Sequence, residues 1–179
     1  KSFAAAIQMK DQGEIWSCDL HPHKKTLIQK GALRLGLQCI HPKTADGKVR
    51  IPEWEGTFDR VLVDAPCSGL GVIRKKPDIR YKDPVSLEEL PQVQRTILEN
   101  AASYVKGGGV LVYSTCTILD RENCGVIDAF LAAHPEFRRE AFTLPGPAGT
   151  AAEGQITLWP QIHGTDGFYI CRLRKDEIL

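Results

Sequence analysis

The sequence predicts an α/β protein with a doubly wound, mostly parallel sheet. Two short aliphatic runs carry this prediction: Val61–Val63, followed by Asp64-Ala-Pro-Cys67, and Val110–Tyr113, followed by Ser114-Thr-Cys116. Apolar runs of this length that end in small residues are typical of buried parallel strands. Segments with a helical apolar stripe alternate with such runs, which indicates βα units. Ligands of open α/β sheets bind beyond the carboxyl ends of the strands, so we expect both thiols at one crevice.

The elements of the first third of the chain follow from apolar spacing and turn residues. Leu27, Ile28, Ala32 and Leu35 recur on one helical face, and Gly36 ends that helix. In chain order, the pattern predicts a helix over 1–12, a strand over 14–19, a helix over 22–35, a strand over 37–40 and a loop over 42–56.

The remaining elements follow in the same way. The apolar stripe that starts at Leu90 predicts a long helix, and Gly107-Gly-Gly109 is interpreted as its end. Pro145 to Gly154 is rich in Gly, Pro and Ala and predicts an exposed loop. The full prediction is a strand over 58–63, a loop over 67–84, a helix over 86–105, a strand over 110–114, a helix over 121–134, and strands near 137–142, 155–159 and 167–173, the last two antiparallel.

Composition and charge are those of an ordinary globular protein. The chain has 179 residues, of which 42% are hydrophobic, and its formal net charge is +1. We expect one domain over 1–179 with one core. Because the net charge is so small, a nucleic-acid partner would have to be bound by a local basic patch. No apolar run reaches the roughly 18 residues of a membrane-spanning helix, so we expect no membrane association and a cytoplasmic location.

The six cysteines predict free thiols and a reducing compartment. None belongs to a Cys-x-x-Cys pair, and none is spaced from histidines as zinc ligands are. We therefore expect no metal site. Cys18, Cys39 and Cys171 lie in apolar runs, where a cysteine behaves as a small buried hydrophobic residue.

The two cysteine motifs carry a specific resemblance. Asp64-Ala-Pro-Cys67-Ser-Gly and Ser114-Thr-Cys116 together resemble the RNA cytosine carbon-5 methyltransferases, which place a cysteine at each of two strand ends. Gly71-Val-Ile-Arg74-Lys-Lys-Pro77-Asp78-Ile79 is similar to the bacterial 16S ribosomal RNA enzymes of the RsmB (Sun, Fmu) group. The ending, Leu158-Trp-Pro160 with Gly164-Thr-Asp166-Gly167-Phe168-Tyr169, resembles that group's last hairpin. The resemblance implies S-adenosylmethionine as cofactor and the class I methyltransferase (Rossmann-like) fold with a carboxyl-terminal antiparallel hairpin.

The chain departs from this family at its first residues. The family's glycine-rich cofactor loop, Ala-Pro-Gly-Gly-Lys-Ser/Thr, follows a first strand, and only Lys1-Ser2 match its end. The resemblance therefore implies a catalytic domain that lacks its first strand. That strand would lie between the strands ending at Asp19 and Asp64. We accordingly expect two exposed strand edges and an edge-paired or strand-exchanged oligomer.

The resemblance assigns catalytic roles to three residues. Carbon 5 of cytosine is a poor nucleophile until a thiolate adds at carbon 6, and the carbon-5 proton must leave after methylation. Cys116 matches the nucleophile, Cys67 the thiol that assists product release, and Asp64 the acid that hydrogen-bonds the pyrimidine. The two thiols could also exchange roles, since other cytosine methyltransferases use the Pro-Cys thiol as the nucleophile. Packing at a strand end is the alternative for both cysteines.

The cofactor residues implied by the resemblance are Lys1, Asp19, Asp46 and Asp64. A carboxylate at the end of a strand, as at Asp19, can accept both ribose hydroxyls. Asp46 matches the acid near the adenine amino group, Lys1 matches the lysine of the glycine loop, and Asp64 faces the cofactor as well as the base. Asp19 could instead cap the helix that follows it, and Asp46-Gly47 could be a plain turn.

A basic cluster follows the Cys67 motif directly. It consists of Arg74, Lys75, Lys76, Arg80 and Lys82, with Tyr81 among them. It is interpreted as a set of phosphate contacts beside a flipped base. A solvated charged loop is the alternative.

The sequence thus predicts an S-adenosylmethionine-dependent methyltransferase acting on carbon 5 of cytosine in RNA, with 16S ribosomal RNA as the expected substrate. Three other interpretations remain open. A DNA cytosine methyltransferase shares the Pro-Cys chemistry. A non-catalytic RNA-binding or structural remnant is the second, because the glycine loop that holds the cofactor is not in this sequence. A thiol-redox protein, which would use the cysteine pair, is the third.

Overall fold

The computed structural model describes residues 1–83 and 87–177, and the chain forms two compact units, Lys1–Val49 and Arg50–Leu179. The predicted end of the loop at Pro84 and the predicted helix start at Ser86 lie outside the described residues.

The first unit contains a two-stranded parallel sheet with two helices. Its elements are α1 (Ser2–Gln8), β1 (Ile15–Asp19), α2 (Pro22–Arg34) and β2 (Ile40–Thr44). Strands β1 and β2 pair with Asp19 opposite Thr44. A small core of Ala6, Ala32, Cys39 and Ile40 lies under them.

Two predictions for this unit are wrong in their bounds. Helix α1 ends at Gln8 and not near residue 12, because Lys10 and Asp11 adopt left-handed backbone conformations with φ of 55° and 56°. Strand β2 covers 40–44, whereas the sequence analysis places a strand over 37–40 and a loop from Pro42. Pro42 has no N–H, but among the described residues β2 pairs on one side only, which is where proline is tolerated in a strand.

The second unit contains a mixed sheet. Its strands are β3 (Phe58–Asp64), β4 (Val105–Thr115), β5 (Phe137–Arg139), β8 (Gln155–Leu158) and β9 (Phe168–Lys175), in the order β3-β4-β9-β5 with β8 also paired to β9. β3 and β4 are parallel, β9 runs antiparallel to β4, and β8 and β9 form the predicted antiparallel pair. The antiparallel strand β9 therefore lies inside the sheet and not at its edge.

The predicted loop over 145–154 is partly ordered into strands. The short strand β7 (Thr150–Ala151) lies within this region and pairs with β6 (Phe142–Thr143), which precedes it. The helices of the unit are α3 (Leu90–Tyr104), α4 (Cys124–Ala133) and α5 (Pro160–His163). Helix α4 starts later than the predicted residue 121, because a 3-10 turn occupies Asp120–Glu122.

The three consecutive glycines do not end α3. Strand β4 starts at Val105 and runs through Gly107–Gly109, where the pairing register with β3 shifts. Gly108 has a φ of +72°, and a Cβ on Gly109 would lie 2.7 Å from Cγ1 of Val105. The glycines thus form an irregular, bulged start of the strand, which needs residues that tolerate this backbone.

Helices α3 and α4 pack on the sheet through one apolar core. Its fully buried members include Leu98 of α3, Leu111 of β4 and Ile127 of α4, each 0% exposed. This core fixes the carboxyl ends of β3 and β4, from which the candidate site is built.

Candidate active site

The structure brings Cys67 and Cys116 together, with 3.3 Å between their sulfur atoms. The sheet explains this contact. β3 and β4 are adjacent and parallel, and Asp64 pairs with Ser114, so the residues that follow them leave the sheet at the same edge. Both thiols are half-buried, which leaves them accessible to a ligand while partly shielded from water.

Asp64 lies at the same edge, exposed at the last position of β3. The hydroxyl of Ser114 donates to Oδ1 of Asp64 at 3.3 Å, and the N–H of Ala65 donates to the Ser114 carbonyl at 2.9 Å. The three residues that the resemblance assigns to catalysis therefore occupy two adjacent strand ends.

The two thiols are close enough to share a hydrogen bond, which affects their ionisation. The pKa of Cys67 is raised well above its ordinary value, first because its thiol hydrogen-bonds the sulfur of Cys116 and then because burial disfavours its thiolate. Two negative sulfur atoms at this distance would repel each other, so ionisation of one thiol keeps the other protonated. The structure favours a protonated Cys67 beside Cys116.

A cluster of fully buried polar side chains lies beneath the two thiols. We call it the buried polar cluster. Its members are Ser68, Gln94, Thr115, Thr117, Glu122 and Asn123, each 0% exposed. The sequence analysis did not identify these residues. Gln94 was detectable, because it lies on the same helical face as Leu90 and Leu98 and interrupts an otherwise apolar stripe.

Two glycines hold a further loop against Cys116. The N–H of Gly71 donates to the Cys116 carbonyl at 3.0 Å, and the N–H of Gly167 donates to the Gly71 carbonyl at 2.8 Å. A Cβ on Gly71 would lie 2.0 Å from the Gly167 carbonyl oxygen. Only glycine fits this approach of three backbone segments, one of which comes from the turn before β9.

The predicted basic cluster is exposed, but Arg74, Lys75 and Lys82 have partners within the chain; Nζ of Lys82 donates to the Ser68 carbonyl at 3.0 Å. Asp166 forms ion pairs with Lys75 at 2.5 Å and with Arg74 at 3.3 Å, and its own side chain is 9% exposed. The hydrogen bond from Lys75 holds the pKa of Asp166 below its ordinary value, and Arg74 lowers it further. This pairing is not predictable from the sequence, because residues 75 and 166 are far apart in the chain. Arg80 lies over the ring of Tyr81 at 5.0 Å.

The other predicted cofactor residues lie at one end of the first unit. Asp19 ends β1, Asp46 follows the end of the parallel strand β2, and the hydroxyl of Ser2, next to Lys1, hydrogen-bonds Ser17 of β1 at 2.8 Å. Both acids also make local hydrogen bonds: Asp19 accepts the N–H of His21 and Asp46 accepts that of Lys48, each at 2.9 Å. The turn role weighed for Asp46 is therefore present, whereas Asp19 does not cap α2, whose N-cap residue is His21 and which has no side-chain cap hydrogen bond. Both carboxylates lie near the strand ends where ribose is bound.

Among residues 1–83 and 87–177, no group of His, Cys, Asp and Glu is arranged to hold a metal ion. In the same residues, no helix is long and apolar enough to cross a membrane.

This fold is that of the class I S-adenosylmethionine-dependent methyltransferases. The crystal structure of NSun6 from Pyrococcus horikoshii with SFG superposes with a TM-score of 0.84 at 27% identity, covering 99% of this chain and 45% of that one. The family model of the 16S rRNA methyltransferases RsmB/F matches residues 1–174. The chain belongs to this family, as the two cysteine motifs predict, and the family's cofactor is S-adenosylmethionine.

Curated relatives agree with this assignment. The chain is 46% identical over 98% of its length to the probable ribosomal RNA small subunit methyltransferase B of Bacillus subtilis (strain 168). It is 33% identical over 98% of its length to the ribosomal RNA small subunit methyltransferase F of Erwinia tasmaniensis. It spans only 40% and 38% of these two proteins.

Proposed function

We propose that this chain catalyses methyl transfer from S-adenosylmethionine to carbon 5 of cytosine in ribosomal RNA through a covalent adduct with Cys116. The observation that carries the proposal is the 3.3 Å contact between the sulfur atoms of Cys116 and Cys67 at two adjacent strand ends, with Asp64 at the same edge. Covalent methylation of a pyrimidine needs this set of groups. That residues 1–179 form one catalytic domain, and that it is cytoplasmic, stay predictions.

The roles of the two thiols depend on which of them is protonated when the cytosine ring is attacked. The Cys116 thiolate forms a bond to carbon 6, which moves the ring electrons toward carbon 5. After methyl transfer, a base removes the carbon-5 proton, and the returning electrons break the bond to Cys116. The raised pKa of Cys67, caused by its hydrogen bond to Cys116 and by burial, supports a protonated Cys67 at the moment of attack. Once the Cys116 sulfur is bonded to carbon, that negative charge is gone and Cys67 can release a proton more readily.

Asp64 is proposed to hydrogen-bond the polar edge of the cytosine. As the ring accepts the thiolate, its N3 becomes more basic, and a carboxylic acid or carboxylate held by Ser114 can stabilise that change.

The acids of the first unit fit the nucleoside part of the cofactor. Asp19 at the end of β1 and Asp46 beyond β2 offer carboxylate oxygens to ribose hydroxyls and to an adenine amino group. When bound, S-adenosylmethionine supplies an electrophilic methyl group. Calorimetric titration with S-adenosylhomocysteine tests this step, and Asp19→Ala is expected to weaken the binding.

RNA is proposed to contact the basic loop after Cys67. Arg74, Lys75, Lys76 and Arg80 are all exposed, and phosphate contacts are made by such side chains. Asp166 competes with phosphate for Arg74 and Lys75. We therefore expect Arg80→Gln to reduce the salt dependence of RNA binding by about one unit of slope, and Arg74→Gln to reduce it less.

Covalent trapping tests the proposed function directly. RNA with 5-fluorocytosine at the target cannot lose a carbon-5 proton, so the adduct persists and migrates as a protein–RNA band on a denaturing gel. Cys116→Ala is expected to abolish this band. Cys124→Ala is the matched control, because this thiol lies in the same unit and hydrogen-bonds the Asp120 carbonyl at 3.7 Å, away from the Cys67–Cys116 pair.

Each outcome of this assay has a defined meaning. A band that survives in Cys116→Ala and vanishes in Cys67→Ala reverses the roles of the two thiols. Trapping on DNA instead of RNA favours the DNA cytosine methyltransferase. No band with any variant, despite salt-dependent RNA binding, overturns catalysis and leaves the RNA-binding remnant.

A further inference from the structure

Both chain neighbours of Cys67 are held by a pair of buried side chains. Oε2 of Glu122 accepts the N–H of Ser68 at 2.9 Å. The side-chain amide of Gln94 donates to that same oxygen and to the Pro66 carbonyl, each at 2.9 Å. The peptide before Cys67 and the peptide after it are therefore both anchored, and the anchors converge on one carboxylate oxygen.

Both chain neighbours of Cys116 are held by Asn123, the residue that follows Glu122. Oδ1 of Asn123 accepts the hydroxyl of Thr115 at 2.6 Å, and its Nδ2 donates to the Thr117 carbonyl at 3.1 Å. Glu122 and Asn123 are consecutive, so one dipeptide anchors both loops. The hydroxyls of Ser68 and Thr117 join the loops directly at 2.7 Å.

This arrangement is unfavourable as a purely structural core. Glu122 is 0% exposed, and within residues 1–83 and 87–177 neither its Oε1 nor the Oε1 of Gln94 has a hydrogen-bond partner. Among the described residues, Glu122 forms no ion pair. Burying a carboxyl group with one oxygen unsatisfied is costly, and well-packed apolar residues could fill the same space. Costly polar groups of this kind are concentrated where a precise geometry is needed for function.

We propose that the dipeptide Glu122-Asn123 is a positioning element that fixes the two thiols relative to each other. The inference rests on the proposed function, in which Cys116 and Cys67 serve adjacent carbon atoms of one pyrimidine ring. Glu122 sets the place of Cys67 through its two neighbours, and Asn123 sets that of Cys116. Neither residue touches the substrate.

The rate at which the Cys67–Cys116 disulfide closes reports how well the two thiols are placed, and it can be measured without RNA or cofactor. One thiolate attacks oxidised glutathione to give a mixed disulfide and one reduced glutathione. The second thiolate then displaces another reduced glutathione and closes the Cys67–Cys116 disulfide. In the unchanged protein we expect ring closure to be fast, so that mass spectrometry detects little mixed disulfide. Glu122→Ala and Asn123→Ala are expected to slow ring closure, and the mixed disulfide accumulates.

The conservative variant Glu122→Gln tests whether Glu122 acts through its hydrogen bonds or through its charge. Glu122→Gln keeps an acceptor oxygen for Ser68, so ring closure should stay close to that of the unchanged protein. In the trapping assay, Glu122→Ala is expected to lower the rate of adduct formation about 100-fold, the scale of a 1 Å misplacement, while Glu122→Gln restores most of it and the RNA affinity changes little.

Two controls keep the test decisive. Ile127→Val removes one buried methyl group of α4 outside the cluster and should leave ring closure unchanged, which excludes general destabilisation. If Glu122→Ala does not fold, the near-isosteric Thr117→Val removes the bridge to Ser68 and the longer hydrogen bond, 3.4 Å, that the Thr117 hydroxyl accepts from the N–H of Leu119, and it is expected to slow closure as well. Unchanged closure in Glu122→Ala and Asn123→Ala, or an equal defect in Glu122→Gln and Glu122→Ala, overturns the proposal. Absence of trapping in the unchanged protein counts against the proposed function alone.

Discussion

Replacing Gly71 by alanine tests whether the backbone holds Cys116 in place. In Gly71→Ala the new Cβ would lie 2.0 Å from the Gly167 carbonyl oxygen and 2.9 Å from that of Cys116. Ordinary contact begins at 3.4 Å, so the segments would have to separate by about 1.4 Å (3.4 minus 2.0). Both obstacles are backbone atoms, and no side-chain rotation relieves them.

The magnitude follows from two losses. Overpacking of this kind costs about 1–3 kcal/mol, and separation breaks at least one of the hydrogen bonds at Gly71, which contributes about 1 kcal/mol. We therefore expect Gly71→Ala to lose about 2–4 kcal/mol of unfolding free energy. If the loops separate by the full distance, covalent trapping should slow by about 100-fold.

Urea unfolding followed by circular dichroism measures the loss. Gly164→Ala is the matched control, because Gly164 has a φ of +65° and a Cβ added there would meet nothing within 4 Å. It is expected to cost about 1 kcal/mol from backbone strain alone. A loss for Gly71→Ala no larger than that of the control would refute the close approach of the three segments.

Four further outcomes are expected. Cys67→Ala should accumulate adduct on RNA with ordinary cytosine, and a normal decay of the adduct on a denaturing gel would contradict its role in release. Leu98→Ala should cost about 2–5 kcal/mol in urea unfolding, against less than about 0.5 kcal/mol for the exposed Leu33→Ala. Asp166→Asn should lower the free energy of unfolding above pH 3.8, the ordinary pKa of the carboxyl group. Because the pKa of Asp166 is lowered in the folded protein, its ion pairs stabilise the fold above pH 3.8, and this stabilisation is lost as the pH falls through the folded-state pKa. Curves of unfolding free energy against pH that stay parallel for the two proteins down to about pH 2 would contradict the ion pairs. Leu62→Lys, at a β3 position 50% exposed, should reduce any self-association seen by sedimentation velocity.

The strand ends that carry the thiols were predictable because two local signals coincide there. Apolar runs such as Val61–Val63, rich in β-branched residues, favour a strand, and small residues with a cysteine mark where each strand stops. Parallel neighbours then place both thiols at one edge without further information. The 3.3 Å contact between sulfur atoms is the part that the sequence left open.

The errors have a common physical cause, since they fall where tertiary pairing overrides a local preference. Pro42 argues against a strand on its own, yet β2 tolerates it because β2 pairs on one side only within the described residues. A run of glycines such as Gly107–Gly109 is typical of a helix end, yet these residues belong to β4, at the point where its pairing register with β3 shifts. Similarly, the local sequence around Lys75 indicates a free cation, and only the fold brings Asp166 to it from another loop.

The buried polar cluster shows what a local pattern cannot supply. Glu122 and Asn123 precede the apolar start of α4 and resemble an ordinary polar helix entrance in sequence. Their function depends on Ser68 and Thr117, which come from two other loops.

The unpaired edges of β1 and β3 are the feature on which the predicted edge-paired oligomer depends. Among the described residues, β1 pairs only with β2 and β3 only with β4, so each presents one open edge. An open edge offers unpaired N–H and carbonyl groups to any added strand, and Leu62 adds exposed apolar surface on β3. Because a strand paired to β1 or β3 would extend the sheet beside Asp19 or Asp64, it would order the strand ends that carry the cofactor acids and the thiols. Stability of each sheet and competence of the site are therefore expected to rise together.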